Sequence, residues 1–472
     1  MQQITDFLLP IVQKINAYLS DYILIVLLIG AGIFYTVRTR FVQVRFFGEG
    51  MKKVFGNLSL KGGKNKSGLS SFQTLATAIA AQVGTGNIVG ACGAILVGGP
   101  GAIFWMWIIA FFGMATIYAE AVLAQETRVT AADGTVLGGP VYYIRRAFNN
   151  KFGKFLATFF AIAITLALGF MGSMVQSNSI AEATNTAFHI PGWVVGLILA
   201  AICAFIFIGG IQRIASVAEK IVPLMAVIYI LMSLVILVIN VTKLPEAIGM
   251  IFKFAFVPQA LIGGGFGYAL KSVISQGAKR GLFSNEAGMG STPHAHAQAN
   301  VEKAHDQGVV AMIGVFIDTF VVLTLTALVV ISTLYAGDGP LGTATGLALN
   351  EATGAITKAN MMQTAVGVVF GNATVANMLV AVCLTFFAFT TIISWNFFGK
   401  QNVQYLFGKT ATGGYSVLAV GFIFLGSLFP NDLVWELADM FNNIMVIPNI
   451  IALLAISGIV VGAVKSAKNN TK

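Results

Sequence analysis

Six consecutive residues, Gln82-Val83-Gly84-Thr85-Gly86-Asn87, set two amides, a hydroxyl and two glycines in the middle of an apolar run from Ser70 to Trp107. A lipid-embedded helix keeps its backbone groups paired internally, so such a cluster reads as a helix opened around a ligand, the plainer alternative being a glycine-packed helix crossing. An opened helix offers two kinds of site. The half beginning near Gly86 and Asn87 presents unpaired N–H groups and a positive dipole end, which suit a carboxylate. The half ending near Ala80–Val83 presents unpaired carbonyls, which suit a small cation. A second interruption, Lys279-Arg280-Gly281-Leu282-Phe283-Ser284-Asn285-Glu286-Ala287-Gly288, shares an Asn-x-x-Gly with the first: Asn87…Gly90 and Asn285…Gly288. Its outer carbonyls suit an ammonium group, so the two openings together fit a zwitterion travelling with a cation.

The second break has two candidate positions. At Ser284–Gly288 it puts Lys279 and Arg280 near the membrane centre, paired with Glu286 or another acid. At Gly263-Gly264-Gly265-Phe266-Gly267 it leaves Lys279 onwards in a cytoplasmic loop. Thr390 and Thr391, inside Phe386–Trp395, are adjacent hydroxyls that either ligate a cation or bond to their own backbone carbonyls. Trp395 lies one turn beyond Thr391 on the same helical face, as a pocket wall or as part of an interfacial aromatic belt. Glu120, Lys220, Glu286 and Asp318 are charges inside spans, which are costly unless paired or functional.

Other motifs carry less. Gly84–Gly90 reads G-x-G-x-x-x-G, close to the dinucleotide fingerprint G-x-G-x-x-G, but its flanks are apolar spans and the next acid is Glu120, so a dinucleotide fold is excluded. His294 and His296 point apart on a helix, and no partner completes a metal set. With no hydrolase, Walker or zincin motif, the sequence predicts no enzyme.

The elements that must hold these residues are transmembrane helices. Of 472 residues, 57% are hydrophobic and only 10% charged, against about a quarter charged in soluble domains. Mean hydropathy is +0.84. About 20 apolar residues cross a bilayer, which predicts eleven spans at 20–36, 70–98, 100–126, 153–183, 192–211, 215–241, 264–298, 307–335, 372–399, 412–430 and 433–465. Residues 1–19 lack a cleavable signal and carry Ile4, Phe7, Leu8, Ile11, Val12, Ile15 and Leu19 on one face, as an interfacial helix does. Cys92, Cys203 and Cys383 lie in apolar runs and read as small core residues.

The net charge of +10 resides mainly in loops, which reflects membrane orientation and not a nucleic-acid partner. Arg38, Arg40, Arg45, Lys52, Lys53, Lys61, Lys64 and Lys66 against Glu49 place the first loop in the cytoplasm, and the segments Arg128 to Lys154 and around Arg213 agree. The N-terminus is then outside, and the tail with Lys465, Lys468 and Lys472 is cytoplasmic. Segments 242–263 and 336–371 read as outer lids. Two interruptions five spans apart suggest an extra first helix, with its loop (1–68), before two inverted repeats (69–241 and 242–465) and a tail at 466–472.

At Gln82–Gly90, Gly98-Gly99-Pro100-Gly101-Ala102-Ile103-Phe104-Trp105-Met106-Trp107, Gly138-Gly139-Pro140, Gly281–Ser291, Ser394-Trp395 and Ile447-Pro448-Asn449, the chain resembles the alanine/glycine:cation symporter family. Gly84–Asn87 is also similar to the Gly-Leu-Gly-Asn of neurotransmitter:sodium symporters. The resemblance implies the all-α leucine-transporter fold, eleven helices with a five-plus-five core and two broken helices. It implies a multi-pass plasma-membrane protein, acting as a monomer, that takes up a small neutral amino acid with sodium. Alanine or glycine is the expected substrate; a glutamine preference, or a passive facilitator, is the alternative. Carried over residue by residue, sodium falls on the carbonyls of Ala80, Val83 and Ala388 and the hydroxyls of Thr390 and Thr391. Substrate contacts fall on Gln82, Thr85, Gly86 and Asn87, on Phe283 and Glu286, and on Gln176 and Trp395.

Overall fold

The computed structural model describes residues 2–56, 71–132, 134–257, 266–341 and 356–469. Lys61, Lys64, Lys66, Gly263–Gly265, Lys472 and the parts of the two outer segments at 258–263 and 342–355 lie outside these. Almost every described element is an α-helix, the way a backbone satisfies its own polar groups without water. The chain begins with α1 (Gln3–Arg38), continues through α2 (Phe47–Phe55), and reaches the first interrupted helix as α3 (Ser71–Gln82) and α4 (Ala91–Gly98). Next come α5 (Ala102–Thr127), a two-stranded hairpin pairing Val129 with Leu137 and Thr130 with Val136, α6 (Pro140–Ala147) and α7 (Lys151–Phe188). Then follow α8 (Gly192–Ile208), α9 (Gly210–Ile239), α10 (Leu244–Phe256), α11 (Phe266–Asn285), α12 (Pro293–His296) and α13 (Ala304–Leu334). The last are α14 (Met361–Phe370), α15 (Ala373–Phe407), α16 (Ala411–Gly426), α17 (Asn431–Ala455) and α18 (Ser457–Asn469).

Seven of the described helices are long and apolar enough to cross a membrane, and the bent pair formed by α3 and α4 makes an eighth. The expectation of eleven spans is therefore met only in part. Segments 192–211 and 412–430 hold apolar helices of 17 and 16 residues, α8 and α16. Segment 433–465 is interrupted after Ala455, so α18 is separate. Segment 264–298 holds α11, whose charged residues lower its apolar character, and the helix ends at Asn285. Residues 3–19 run into the first span as one 36-residue helix, longer than the hydrocarbon core needs. Segments 242–263 and 336–371 carry short helices, α10 and α14, as expected.

Local chemistry sets several ends. Asn150 and Asn372 cap α7 and α15 by accepting from the N–H groups of Gly153 and Val375 at 3.0 and 3.1 Å. Pro448 lies inside α17 and withholds an N–H there, next to Asn449 whose side chain bonds outside the helix. α15 is the central column, packing against α3, α7, α9, α14 and α16, while α5 packs against α1, α11 and α13. Small residues permit these crossings: a Cβ on Gly32 or Gly277 would lie 2.6 Å from Phe112 or 2.5 Å from Trp105.

Candidate functional site

The first helix bends by 41° across Val83–Thr85. Asn87 stabilises the opening by accepting from the Gly84 N–H at 3.0 Å, and Gln176 on α7 accepts from the Thr85 N–H at 3.1 Å. The Asn87 amide donates to Asp318 on α13 at 2.6 Å. Ser284 and Thr319 donate to the same carboxylate, at 2.9 and 2.8 Å. Asp318 is thus held by neutral donors from three elements. The Thr85 hydroxyl is buried and has no hydrogen-bond partner among the described residues.

The second helix opens after Asn285, at the Ser284–Gly288 position; Phe266 and Gly267 belong to the start of α11. Glu286, Gly288 and Gly290 have φ of +59°, +88° and +82°. That turns successive N–H groups of the segment out of helical register, and Glu120 on α5 takes two of them. Its carboxylate accepts from Gly288 and Gly290 at 3.0 and 2.9 Å and from the Asn449 amide at 2.6 Å. Tyr143 in turn donates to the Asn449 side-chain oxygen. An in-span acid with no partner visible in the sequence is therefore a clamp on the second break.

The two breaks meet directly. A Cβ on Gly86 would lie 3.0 Å from the Ser284 Cα and 3.3 Å from the Phe283 carbonyl. The Gln82 amide donates to the Asn285 carbonyl at 2.8 Å. Glu286 accepts from the Trp395 indole N–H at 2.5 Å through one oxygen and from Ser291 at 2.5 Å through the other. The Phe283 ring lies edge-on to Trp395 at 5.9 Å and tilted against Trp435 of α17 at 4.8 Å.

At the inner end of α3, the Thr391 hydroxyl donates to the Ala80 carbonyl at 2.8 Å and lies 3.1 Å from the Phe387 carbonyl. Thr390 donates to the Phe386 and Phe387 carbonyls and lies 3.7 Å from the Met225 sulfur. A threonine hydroxyl in a helix reaches the carbonyl three or four residues back. The oxygen that both threonines meet is thus that of Phe387, one residue before Ala388. Every sequence-predicted site residue is buried, and all but Ala388 and Val83 join the contacts described above.

Lys279 and Arg280 do not pair with Glu286. Arg280 grips Asp439 of α17 with two bonds at 3.2 and 2.9 Å and lies over Trp435 at 4.7 Å, while Lys279 meets Asp439 at 3.1 Å and Glu436 at 3.8 Å. His294 packs between Phe160 and Phe398 and contacts Asn402 at 2.8 Å; His296 contacts Gln307 at 2.7 Å. Sequence reading assigned no contact to Ser284 or Asn449, which it named only within motifs, and did not single out Thr319, Trp435 or Asp439. Asp439 carried the available signal, being an acid inside a span.

Residues 5–472 match the sodium:alanine symporter family. The chain belongs to that family. It is 39% identical over 463 residues to the sodium/alanine symporter AgcS of Methanococcus maripaludis, covering 98% of this chain and 97% of the relative. The probable sodium/glutamine symporter GlnT of Bacillus subtilis is 37% identical over 474 residues, covering 100% and 92%. Among solved structures, MhsT in complex with L-phenylalanine aligns with a TM-score of 0.57 at 13% identity, covering 84% of this chain and 99% of that one. A Na+-coupled sialic acid symporter aligns at 0.53 and 10%, covering 88% and 82%. These structures share the leucine-transporter fold that the sequence implied. The protein is a transporter and not an enzyme. Its family couples amino-acid transport to sodium.

Proposed function

We propose that this symporter carries alanine or glycine into the cell together with sodium, by alternating access at the junction of the two opened helices. The observation that carries the reading is the meeting of two kinds of oxygen site at one place. An unpartnered Thr85 hydroxyl stands at the opening of the first helix, and the Thr391 hydroxyl is bonded to the Ala80 carbonyl one turn below. The amino-acid carboxylate sits near Thr85–Asn87, where the unpartnered Thr85 hydroxyl and the start of the outer half-helix offer donors. Its ammonium group faces the outer-half carbonyls of α11 around Phe283. Gln176 orients the first opening, and Phe283 and Trp395 wall the side chain. Sodium is held by the carbonyls of Ala80, Val83 and Phe387 with the hydroxyls of Thr390 and Thr391, an all-oxygen set that suits a hard cation. The core is a five-plus-five repeat in a monomer, with its N-terminus outside and C-terminus in the cytoplasm, as the basic loops favour.

Uptake of labelled alanine, glycine and glutamine into proteoliposomes, with and without an inward sodium gradient, tests this. Gradient-driven alanine or glycine accumulation with a fixed sodium stoichiometry is expected. Equilibration without accumulation makes the protein a facilitator, and preferred glutamine accumulation overturns the substrate assignment.

A further inference from the structure

Gly172 lies in α7, at the end of an eight-residue π-type stretch, Thr165–Gly172, where a side chain would run into the indole of Trp395. A Cβ there would lie 2.5 Å from Cζ3, 2.7 Å from Cε3 and 2.9 Å from the Ala167 carbonyl oxygen, closer than real side chains approach. The opposite edge of the same indole carries Nε1, which donates to Glu286 at 2.5 Å. Glu286 is itself fixed, since its second oxygen accepts from Ser291 at 2.5 Å. Trp395 is 1% exposed. The ring is therefore bonded at Nε1, and Gly172 leaves open the space beside Cζ3 and Cε3 that a side chain would fill.

We infer that Gly172 sets the side-chain size this symporter accepts, by giving Trp395 room to seat back from the substrate. This rests on the reading that Trp395 walls the amino-acid site. A methyl group at 172 displaces the indole from its seat, and the ring's edge-on neighbour Phe283 borders Gly86 of the first break. The space lost is of the order of one methyl group, the difference between alanine and glycine. A steric difference of that size changes discrimination by about tenfold or more.

The test is competition by unlabelled alanine and glycine against labelled glycine uptake in wild type, Gly172→Ala, Trp395→Phe and the double variant. Gly172→Ala should retain glycine uptake and lose about tenfold in alanine relative to glycine, and the smaller ring of Trp395→Phe should erase most of that change. An unchanged alanine-to-glycine ratio in folded Gly172→Ala, or the same change in both backgrounds, overturns the inference. If Gly172→Ala fails to accumulate, recovery of folded protein in the double variant supports the clash with Trp395, and failure of both overturns it. Trp395→Phe alone checks the underlying reading: an unaltered rank order among neutral amino acids removes Trp395 from the site, whatever Gly172 does.

Discussion

Thr390 and Thr391 differ by one position in sequence and differ sharply in surroundings. Thr391 bridges its own helix to the broken helix through Ala80, while Thr390 bonds to carbonyls of its own helix and faces Met225. Thr391→Ala should raise the sodium concentration for half-maximal uptake about tenfold, the scale of one lost hydrogen bond to an ion-binding group, and Thr390→Ala should raise it less. Sodium titrations of initial uptake rates decide this, and equal effects would contradict the assignment. At Gly86 the argument is steric. The nearest atoms to an added Cβ include the Ser284 Cα, which is backbone and cannot rotate away. Gly86→Val should therefore abolish amino-acid binding, read by the loss of alanine-dependent thermal stabilisation in protein that still purifies as a single species.

Two carboxylates act on the helices that carry the site. Glu120 holds the second break with both oxygens, and Asn449 completes the clamp from α17. Glu120→Gln replaces an acceptor with a donor aimed at backbone N–H groups, which costs about 1–3 kcal/mol for each buried group left unpaired. The expected result is a lower melting temperature and a weaker apparent affinity for amino acid; a melting temperature equal to wild type would show the clamp is dispensable. Asp439 holds α11 to α17 through Arg280 and Lys279. Asp439→Asn leaves Arg280 facing a neutral amide while Lys279 keeps Glu436, and removing one partner of a buried pair costs about 3–5 kcal/mol. The additional change Arg280→Met should recover part of that loss in melting experiments, because it removes a stranded charge.

At the scale of the whole molecule, α1 is attached to α17 along its length. Asn16 donates to the Glu436 side chain at 2.6 Å, Asn443 donates to Ser20 at 2.7 Å, and Tyr35 donates to the Leu453 carbonyl. Glu436 also meets Lys279, so the first helix reaches the charge cluster beside the second break. Deleting residues 2–19 removes Asn16 from Glu436 and uncovers an apolar face of α17. The truncated symporter should melt at a lower temperature while its remaining uptake keeps a wild-type sodium dependence, since none of the proposed sodium ligands touches α1. A shifted sodium dependence would mean that α1 acts on the ion site through α17.

The sequence by itself determined the class and the location of the chemistry. Apolar length and sparse charge dictate membrane helices, and a Gly-Thr-Gly-Asn cluster inside one of them marks an opening, because lipid leaves unpaired backbone no other partner. The second opening was legible from Asn285…Gly288, and helix geometry alone pairs Trp395 with Thr391 on one face. What these residues touch was decided by tertiary structure. Glu120 lies 168 residues before the N–H group of Gly288 that it binds, and Asp318 lies 231 residues after Asn87. No local pattern encodes such partners, and each acid looked equally unpaired. Lys279 and Arg280 found Asp439 because α11 and α17 pack side by side. The first helix shows the same limit. Its amphipathic start satisfies an interfacial reading, and only the structure shows that the polar residues Asn16 and Ser20 meet α17.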